Sequence, residues 1–112
     1  MRAAAVQLNS TDDKAANMEA ADRLTRAAAA EYGSRGIRVN AVLPGIIRTP
    51  MISRLTQDER FSAFFAKLKD RHPIGRFGEP EEIGEAVKWL LSDAASLMNG
   101  AAMAVDGGYL AI

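Results

Sequence analysis

The sequence predicts an α/β fold, because short apolar runs alternate with longer amphipathic stretches. Three such runs, rich in Ala, Val, Ile and Leu and each followed by turn-forming residues, lie at residues 3–8, 37–43 and 101–105. Runs of this kind are typical of buried strands. Since helical stretches separate them, we expect right-handed crossovers and about three parallel strands with flanking helices.

Size and composition limit the classes of function. With 112 residues the chain can form one domain with a core. Fourteen basic and fourteen acidic residues cancel, which disfavours nucleic acid or an anionic membrane as a partner. Cysteine is absent and His72 is the only histidine, so thiol catalysis, disulfides and a His/Cys metal site are excluded. No apolar run approaches the roughly 20 residues of a membrane span, and we expect a cytoplasmic protein.

Three helices are predicted from apolar positions at helical spacing. They cover residues 13–32, 56–71 and 79–93. Thr11 or Asp12 is expected to cap the first helix, because their side-chain oxygens accept from free N–H groups of the first turn. Thr56 followed by Glu59 is a capping-box pattern for the second helix. Between the second and third helices, residues 72–80 are so rich in Pro and Gly that we expect a loop.

The segment GIRVNAVLPGIIRTPM, residues 36–51, places a Pro-Gly break directly after the second predicted strand. In open α/β sheets, ligands bind in the crevice beyond the carboxyl ends of the strands. Residues 46–49 are therefore expected to line a crevice. Without evidence from related proteins, a Pro-Gly pair at such a position more often only ends a strand.

Four segments in this order resemble the C-terminal half of the short-chain dehydrogenase/reductase family. They are EYG at 31–33, GIRVNAVLPGIIRTPM at 36–51, HPIGRFGEPEEIGEAVKWLLSDAAS at 72–96 and GAAMAVDGGY at 100–109. The resemblance covers about residues 24–111. It implies half of a doubly wound Rossmann-like unit from an NAD(P)-dependent oxidoreductase family. It also implies that Pro44, Gly45, Ile47 and Thr49 are positions on the nicotinamide side of a cofactor site.

The residues that would complete dehydrogenase chemistry are missing from this sequence. It contains no Gly-x-x-x-Gly-x-Gly or Gly-x-Gly-x-x-Gly loop to hold a dinucleotide pyrophosphate at a helix N-terminus. The family's Tyr-x-x-x-Lys pair falls on Lys14 and Met18, which cannot replace a phenol and an ammonium group. We therefore expect no tightly bound NAD(P) and no autonomous dehydrogenase activity.

Residues 1–29, MRAAAVQLNSTDDKAANMEAADRLTRAAA, are similar to the opening strand and helix of the nitrilase superfamily. That superfamily's Glu-Lys-Cys chemistry is excluded, because the chain has no cysteine. The resulting prediction is a single truncated, chimeric domain. Residues 1–29 would supply a nitrilase-like strand and helix, and residues 30–112 the dehydrogenase half.

Ser10 and His72 are weak candidates for catalysis. Ser10 lies near the position of the family's catalytic Ser, and with Lys14 it suggests a Ser-Lys hydrolase, although a helix cap is the more common role of such a residue. His72 could be a general base, although a base needs a partner within hydrogen-bond reach. These residues leave a small esterase-like hydrolase open as an alternative function.

The other alternative function is an oligomeric binding or assembly module with its site at a new subunit interface. A parallel sheet needs both faces covered, and an open sheet edge favours pairing with another chain. We therefore expect a homo-oligomer, at least a dimer, formed through the sheet edge and exposed helix faces. Arg48 could attract a phosphate, the stripe of Phe61, Phe64 and Phe65 could cover a substrate, and Trp89 could lie at a subunit contact.

Overall fold

The structure is a computed structural model that describes residues 13–111. Four helices and two strands lie in this range: α1 (Lys14–Tyr32), β1 (Ala41–Pro44), α2 (Pro50–Thr56), α3 (Glu59–Asp70), α4 (Pro80–Leu91) and β2 (Ala102–Val105). Short 3-10 turns follow α1 at Gly33–Arg35 and α4 at Asp93–Ala95. The α/β class predicted from the sequence is confirmed.

The two strands are neighbours in a parallel sheet. The Ala41 N–H donates to the Ala101 carbonyl at 2.8 Å, and four residues later the Gly45 N–H donates to the Val105 carbonyl at 3.2 Å. Both strands advance in the same direction between these bonds, as parallel pairing requires. The third predicted strand, residues 3–8, lies outside the described residues.

The described chain divides into two compact units. The first contains residues 13–41 and 88–103, and the second contains residues 42–87 and 104–111. The boundary passes through β1, α4 and β2, so each unit holds part of these elements. None of the helices in the described part combines the length and hydropathy that a membrane crossing needs.

In the first unit, α1 begins one residue later than predicted. Its N-cap is Asp13, whose side chain accepts from the Ala16 N–H at 3.0 Å. The expected caps, Thr11 and Asp12, lie outside the described residues. At the other end the chain turns through a 3-10 segment to Gly36, whose φ of 74° is the left-handed conformation that glycine tolerates.

The second predicted strand, residues 37–43, begins later than expected, at Ala41. Two asparagine side chains take part in the hydrogen bonding before it. Asn99 Oδ1 accepts from the Val39 N–H at 2.9 Å, and Asn40 Oδ1 accepts from the Ala101 N–H at 3.0 Å. These side-chain amides act beside a backbone bond of 2.7 Å from the Gly100 N–H to the Val39 carbonyl. A strand prediction based on apolar content cannot distinguish this mixed arrangement from a regular ladder.

Arg38 stabilises the end of α4 within the same unit. Its guanidinium donates to the carbonyls of Leu90 at 2.6 Å, Ser92 at 3.3 Å and Met98 at 3.1 Å. The last carbonyls of a helix have no partner inside the helix, and a cation there also interacts favourably with the helix dipole. The third predicted helix, residues 79–93, is confirmed with slightly shorter ends.

In the second unit, the predicted start of the helix at residues 56–71 is wrong. Two helices occupy the region, and they are separated at Gln57 and Asp58. Asp58 is the N-cap of α3 and accepts from the Arg60 N–H at 3.0 Å. Thr56 instead belongs to the last turn of α2, where its hydroxyl donates to the Ser53 carbonyl. The capping-box reading of Thr56 and Glu59 is therefore incorrect.

The core of the second unit is a cluster of aromatic rings. Phe65 contacts Phe77 edge to face with centroids 6.2 Å apart, Phe77 contacts His72 at 5.6 Å, and His72 contacts Tyr109 at 4.9 Å. Such ring pairs add to the free energy gained from burial of their area. Of the predicted phenylalanine stripe, Phe65 is buried, whereas Phe61 and Phe64 are exposed.

Candidate functional site

A cavity of about 330 Å³ lies in the second unit, at the carboxyl ends of both strands. Three segments form most of its wall: the residues after β1, the residues after β2, and the loop between α3 and α4. The first turn of α4 and the last residues of β2 complete it. The lining residues are Gly45, Ile46, Ile47, His72, Ile74, Arg76, Gly78, Glu82, Ile83, Ala104, Val105, Asp106, Gly107 and Gly108. The position is the one where α/β sheets bind ligands.

The four positions assigned to a nicotinamide site do not all lie at this cavity. Gly45 and Ile47 line it, whereas Pro44 is exposed at the end of β1. Thr49 is the N-cap of α2, and its Oγ1 accepts from the Ile52 N–H at 3.4 Å. The cap role explains why a hydroxyl residue precedes Pro50 at this point, since proline suits the first turn of a helix.

Gly45 allows two backbone segments to approach closely. A Cβ placed on it would lie 2.9 Å from both the Cα and the carbonyl oxygen of Asp106, and 3.0 Å from Nε2 of His72. Real Cβ atoms do not approach backbone atoms at such distances. The end of β1 therefore packs against the residue that follows β2 because no side chain separates them.

His72 is buried, with 2% of its surface exposed, and it bonds to the backbone through both ring nitrogens. Nδ1 lies 2.8 Å from the Leu68 carbonyl oxygen, which can only accept, so Nδ1 carries the proton. Nε2 is then free to accept from the Ile46 N–H at 3.2 Å. His72 thus holds the segment after β1 in place. A general base needs a ring nitrogen that is free to take a proton from the substrate, and both nitrogens of His72 are bonded to the backbone.

The Asp106-Gly107-Gly108 sequence forms a tight turn after β2. The Asp106 carboxylate accepts from the Gly108 N–H and from the Leu110 N–H, each at 2.9 Å. Gly107 and Gly108 have φ values of 60° and 87°, which other residues rarely adopt. This turn lies next to the loop between α3 and α4, where the Ile74 N–H donates to the Gly107 carbonyl at 3.1 Å.

Two ion pairs involve carboxylates at the start of α4, those of Glu79 and Glu82. Arg76 binds Glu82 through two bonds of 2.8 and 2.7 Å, and Arg48 lies 3.3 Å from Glu79. Glu82 also accepts from the Glu79 N–H at 2.8 Å, which is the backward half of a capping box. The Arg76 guanidinium, aided by that N–H, lowers the pKa of Glu82 to about 2. Arg48, considered as a phosphate ligand from the sequence, is half exposed and pairs with a carboxylate.

Ser10 lies outside the described residues, as does the side chain of Lys14, so the hydrolase pair suggested by the sequence has no described geometry. Among the described residues no group of His, Asp and Glu is arranged to hold a metal ion. Sequence reasoning missed Arg76, Glu82 and the Asp106 turn as cavity residues. The signal for the turn was present, because Asp-Gly-Gly directly follows a predicted parallel strand whose carboxyl end must lie beside that of β1.

Comparison with known proteins identifies relatives over most of the chain. The family model described as enoyl-(acyl carrier protein) reductase matches residues 3–110. The 2,5-dichloro-2,5-cyclohexadiene-1,4-diol dehydrogenase of Sphingobium indicum is 53% identical over 89 residues, which is 80% of this chain and 35% of that protein. The cis-4-hydroxycyclohexanecarboxylate dehydrogenase of Sinomonas cyclohexanicum is 49% identical over 106 residues, which is 95% of this chain and 40% of that protein.

A solved structure agrees with these relatives. It is an Agrobacterium tumefaciens protein, provisionally assigned as a 2-deoxy-D-gluconate 3-dehydrogenase, with bound NADP. It is 38% identical, superposes with a TM-score of 0.77, and is matched over 87% of this chain and 38% of that one. The chain thus spans 35% to 40% of the length of these proteins. With a family model matched over residues 3–110 and curated relatives about half identical, the chain belongs to the short-chain dehydrogenase/reductase family.

Proposed function

We propose that this chain supplies the nicotinamide-side part of a short-chain dehydrogenase/reductase fold and that the 112 residues alone do not transfer hydride. The observation that carries the proposal is the cavity at the carboxyl ends of β1 and β2, with Gly45 and Ile47 in its wall. In the relatives this part of the sequence belongs to enzymes named as dehydrogenases. A bound nicotinamide would supply the hydride-carrying ring.

The size of the cavity suits one ring and not a dinucleotide. Pockets for small ligands range from about 300 to 1,000 Å³, and this cavity of about 330 Å³ lies at the lower end. Gly45 keeps the end of β1 free of a side chain, and Ile47 offers an apolar contact. The sequence offers no glycine-rich loop for the pyrophosphate. We therefore propose that binding of the full cofactor by this chain is weak.

The proposed lack of hydride transfer rests on two residues of α1. Lys14 and Met18 fall where the family carries its Tyr and Lys, so neither a phenol nor a charged neighbour is available to move a proton at the substrate oxygen. Described residues give the hydrolase alternative no support, because both nitrogens of His72 are bonded to the backbone.

The organisation of the chain remains part of the proposal. The nitrilase resemblance of residues 1–29 stays a hypothesis, and the family match beginning at residue 3 competes with it, as does a dehydrogenase relative aligned over 95% of the chain. One domain, a cytoplasmic location and a homo-oligomer also stay predictions. Support for the homo-oligomer comes from large apolar side chains exposed in the first unit, including Trp89, Leu91 and Leu97.

Titration of the chain with NADH, NADPH and nicotinamide tests the proposal. We expect no saturable fluorescence change with either dinucleotide below about 1 mM, because affinity without phosphate contacts rests on one small ring. Amide NMR shifts at Gly45 and Ile47 are expected with millimolar nicotinamide, and Ile47→Asp is expected to abolish them. Ile37→Asp, at an exposed position of the first unit, is the matched control.

Two results would contradict the proposal. Submillimolar binding of NADH or NADPH would mean that a working dinucleotide site exists in this chain. Oxidation of NADH coupled to a ketone substrate would mean that Lys14 and Met18 do not abolish the chemistry.

A further inference from the structure

The polar side chains described at the cavity wall already have partners within the second unit. These side chains belong to His72, Arg76, Glu82 and Asp106. His72 is bonded to the backbone through both nitrogens, and the Asp106 carboxylate accepts two backbone N–H groups. Arg76 and Glu82 bind each other in a two-bond pair. Among these described lining residues, a ligand entering the cavity therefore meets no charge that lacks a counter-charge or hydrogen bonds.

Arg76 is the group that would attract an anion, and Glu82 neutralises it. The planar guanidinium and the carboxylate match each other's geometry, so a competing carboxylate ligand has to displace an equally good partner. Glu82 is also fixed by the Glu79 N–H, which holds it at Arg76. Because the pKa of Glu82 is lowered to about 2, this carboxylate is charged throughout the neutral range.

The backbone around the cavity offers hydrogen-bond acceptors. Carbonyls of lining residues, among them those of Ile46, Gly78, Val105, Asp106 and Gly107, each accept one N–H and keep a second lone pair. An ionised carboxylate can only accept, so it gains no hydrogen bond from these carbonyls. A hydroxyl or amide N–H of an uncharged ligand can donate to them.

The rest of the wall is apolar. Its side chains belong to Ile46, Ile47, Ile74, Ile83, Ala104 and Val105. Burial of a ring against such side chains is favourable in proportion to the apolar area removed from water. Placing an unpaired anion against them costs free energy, because its hydration is lost without replacement.

We propose that the cavity binds a small uncharged ring compound with a hydrogen-bond donor, and that Glu82 determines this specificity by neutralising Arg76 and so excluding anions. The inference rests on the proposed function only for the choice of the cavity as the functional site. It goes further by naming the class of ligand and the residue that selects it.

Benzyl alcohol and benzoate are a matched pair of probes for this proposal. They share one ring and nearly the same length, and they differ in charge and in the presence of a donor. Amide NMR spectra of the full 112-residue chain are recorded during titration with each. We expect benzyl alcohol to shift Gly45, Gly78 and Gly107 with a Kd on the order of 1 mM, as suits about eight non-hydrogen atoms. Benzoate should bind at least about tenfold more weakly.

Glu82→Gln tests the selecting residue. The new amide side chain would keep an acceptor for the Glu79 N–H but remove the negative charge from Arg76, so benzoate should bind about tenfold more tightly than to the unchanged chain. The affinity for benzyl alcohol, which carries no charge, should change by less than the affinity for benzoate. Glu81→Gln, which removes a carboxylate from the same turn but outside the cavity wall, is the control and should change neither affinity.

Equal or tighter binding of benzoate by the unchanged chain would overturn the proposal, and so would the absence of benzyl alcohol shifts at the cavity. An unchanged benzoate affinity in a folded Glu82→Gln variant would remove the role of Glu82. Failure of nicotinamide to shift Gly45 while benzyl alcohol does so would contradict the proposed function alone and leave this inference standing.

Discussion

At Gly45, the absence of a side chain is what lets β1 end against Asp106 and His72. Gly45→Ala would place a methyl group 2.9 Å from backbone atoms of Asp106, so one of the two segments has to move. We expect a loss of about 1–3 kcal/mol in the free energy of unfolding, the usual cost of overpacking. Urea unfolding monitored by circular dichroism measures this change.

Gly84→Ala is the matched control for that substitution. Gly84 lies in α4, and a Cβ placed there meets nothing within 4 Å. Because glycine in a helix interior costs about 0.5–1 kcal/mol relative to alanine, this variant should be more stable than the unchanged chain. Equal effects of the two substitutions would mean that the close approach at Gly45 is absent in solution.

At the scale of elements, α4 depends on Glu82 for its first turn. The pKa of this carboxyl is lowered from 4.5 to about 2 by Arg76 and the Glu79 N–H. A group with a lowered folded pKa contributes stability that is complete above its unfolded pKa and is lost as the pH falls through the folded pKa. The contribution of Glu82 should therefore be constant above about pH 4.5 and disappear between pH 4.5 and 2. Because the pair is partly exposed, salt should weaken it.

Thermal unfolding between about pH 7 and pH 2 checks this expectation. Glu82→Gln should unfold at a lower temperature than the unchanged chain near neutral pH, and the two curves should converge near pH 2. Glu81→Gln provides the comparison for loss of a first-turn carboxylate without the Arg76 contact. A difference between Glu82→Gln and the unchanged chain that persists at the acid end of this range would contradict the role given to the ion pair.

Prediction of the elements succeeded where local chemistry decides the structure. The length of α1 follows from its Ala-rich composition and from the glycines after it, and the loop at residues 72–80 follows from its Pro and Gly content. The prediction failed where a side-chain hydrogen bond decides the local structure, because a residue pattern does not reveal such a bond. Asp58 caps α3 although Thr56 and Glu59 have the spacing of a capping box, and the Asn99 side chain accepts from the Val39 N–H where a regular ladder was expected.

The candidate site was predicted only in part for a similar reason. Gly45 and Ile47 could be placed at the end of a strand from the sequence, because parallel strands bring their carboxyl ends together. The pairing of Arg76 with Glu82 depends on the path of the loop between α3 and α4, and a sequence does not specify that path. His72 is buried among Phe65, Phe77 and Tyr109. Tyr109 is distant from the other three along the chain, so the sequence does not reveal this burial.

For the whole molecule, self-association is the remaining prediction. Leu97 is 97% exposed and Trp89 is 42% exposed, both in the first unit, and large apolar side chains at such exposure favour contact with another chain. We expect light scattering at micromolar concentration to give at least twice the mass of one chain.

Leu97→Ser combined with Trp89→Ala should lower that mass, because both substitutions remove apolar area from the contact. Leu110→Ser, at an exposed leucine of the second unit, is the control and should leave the mass unchanged. A mass of one chain for the unchanged protein would contradict the prediction, and an oligomer that survives the double substitution would move the contact away from this surface.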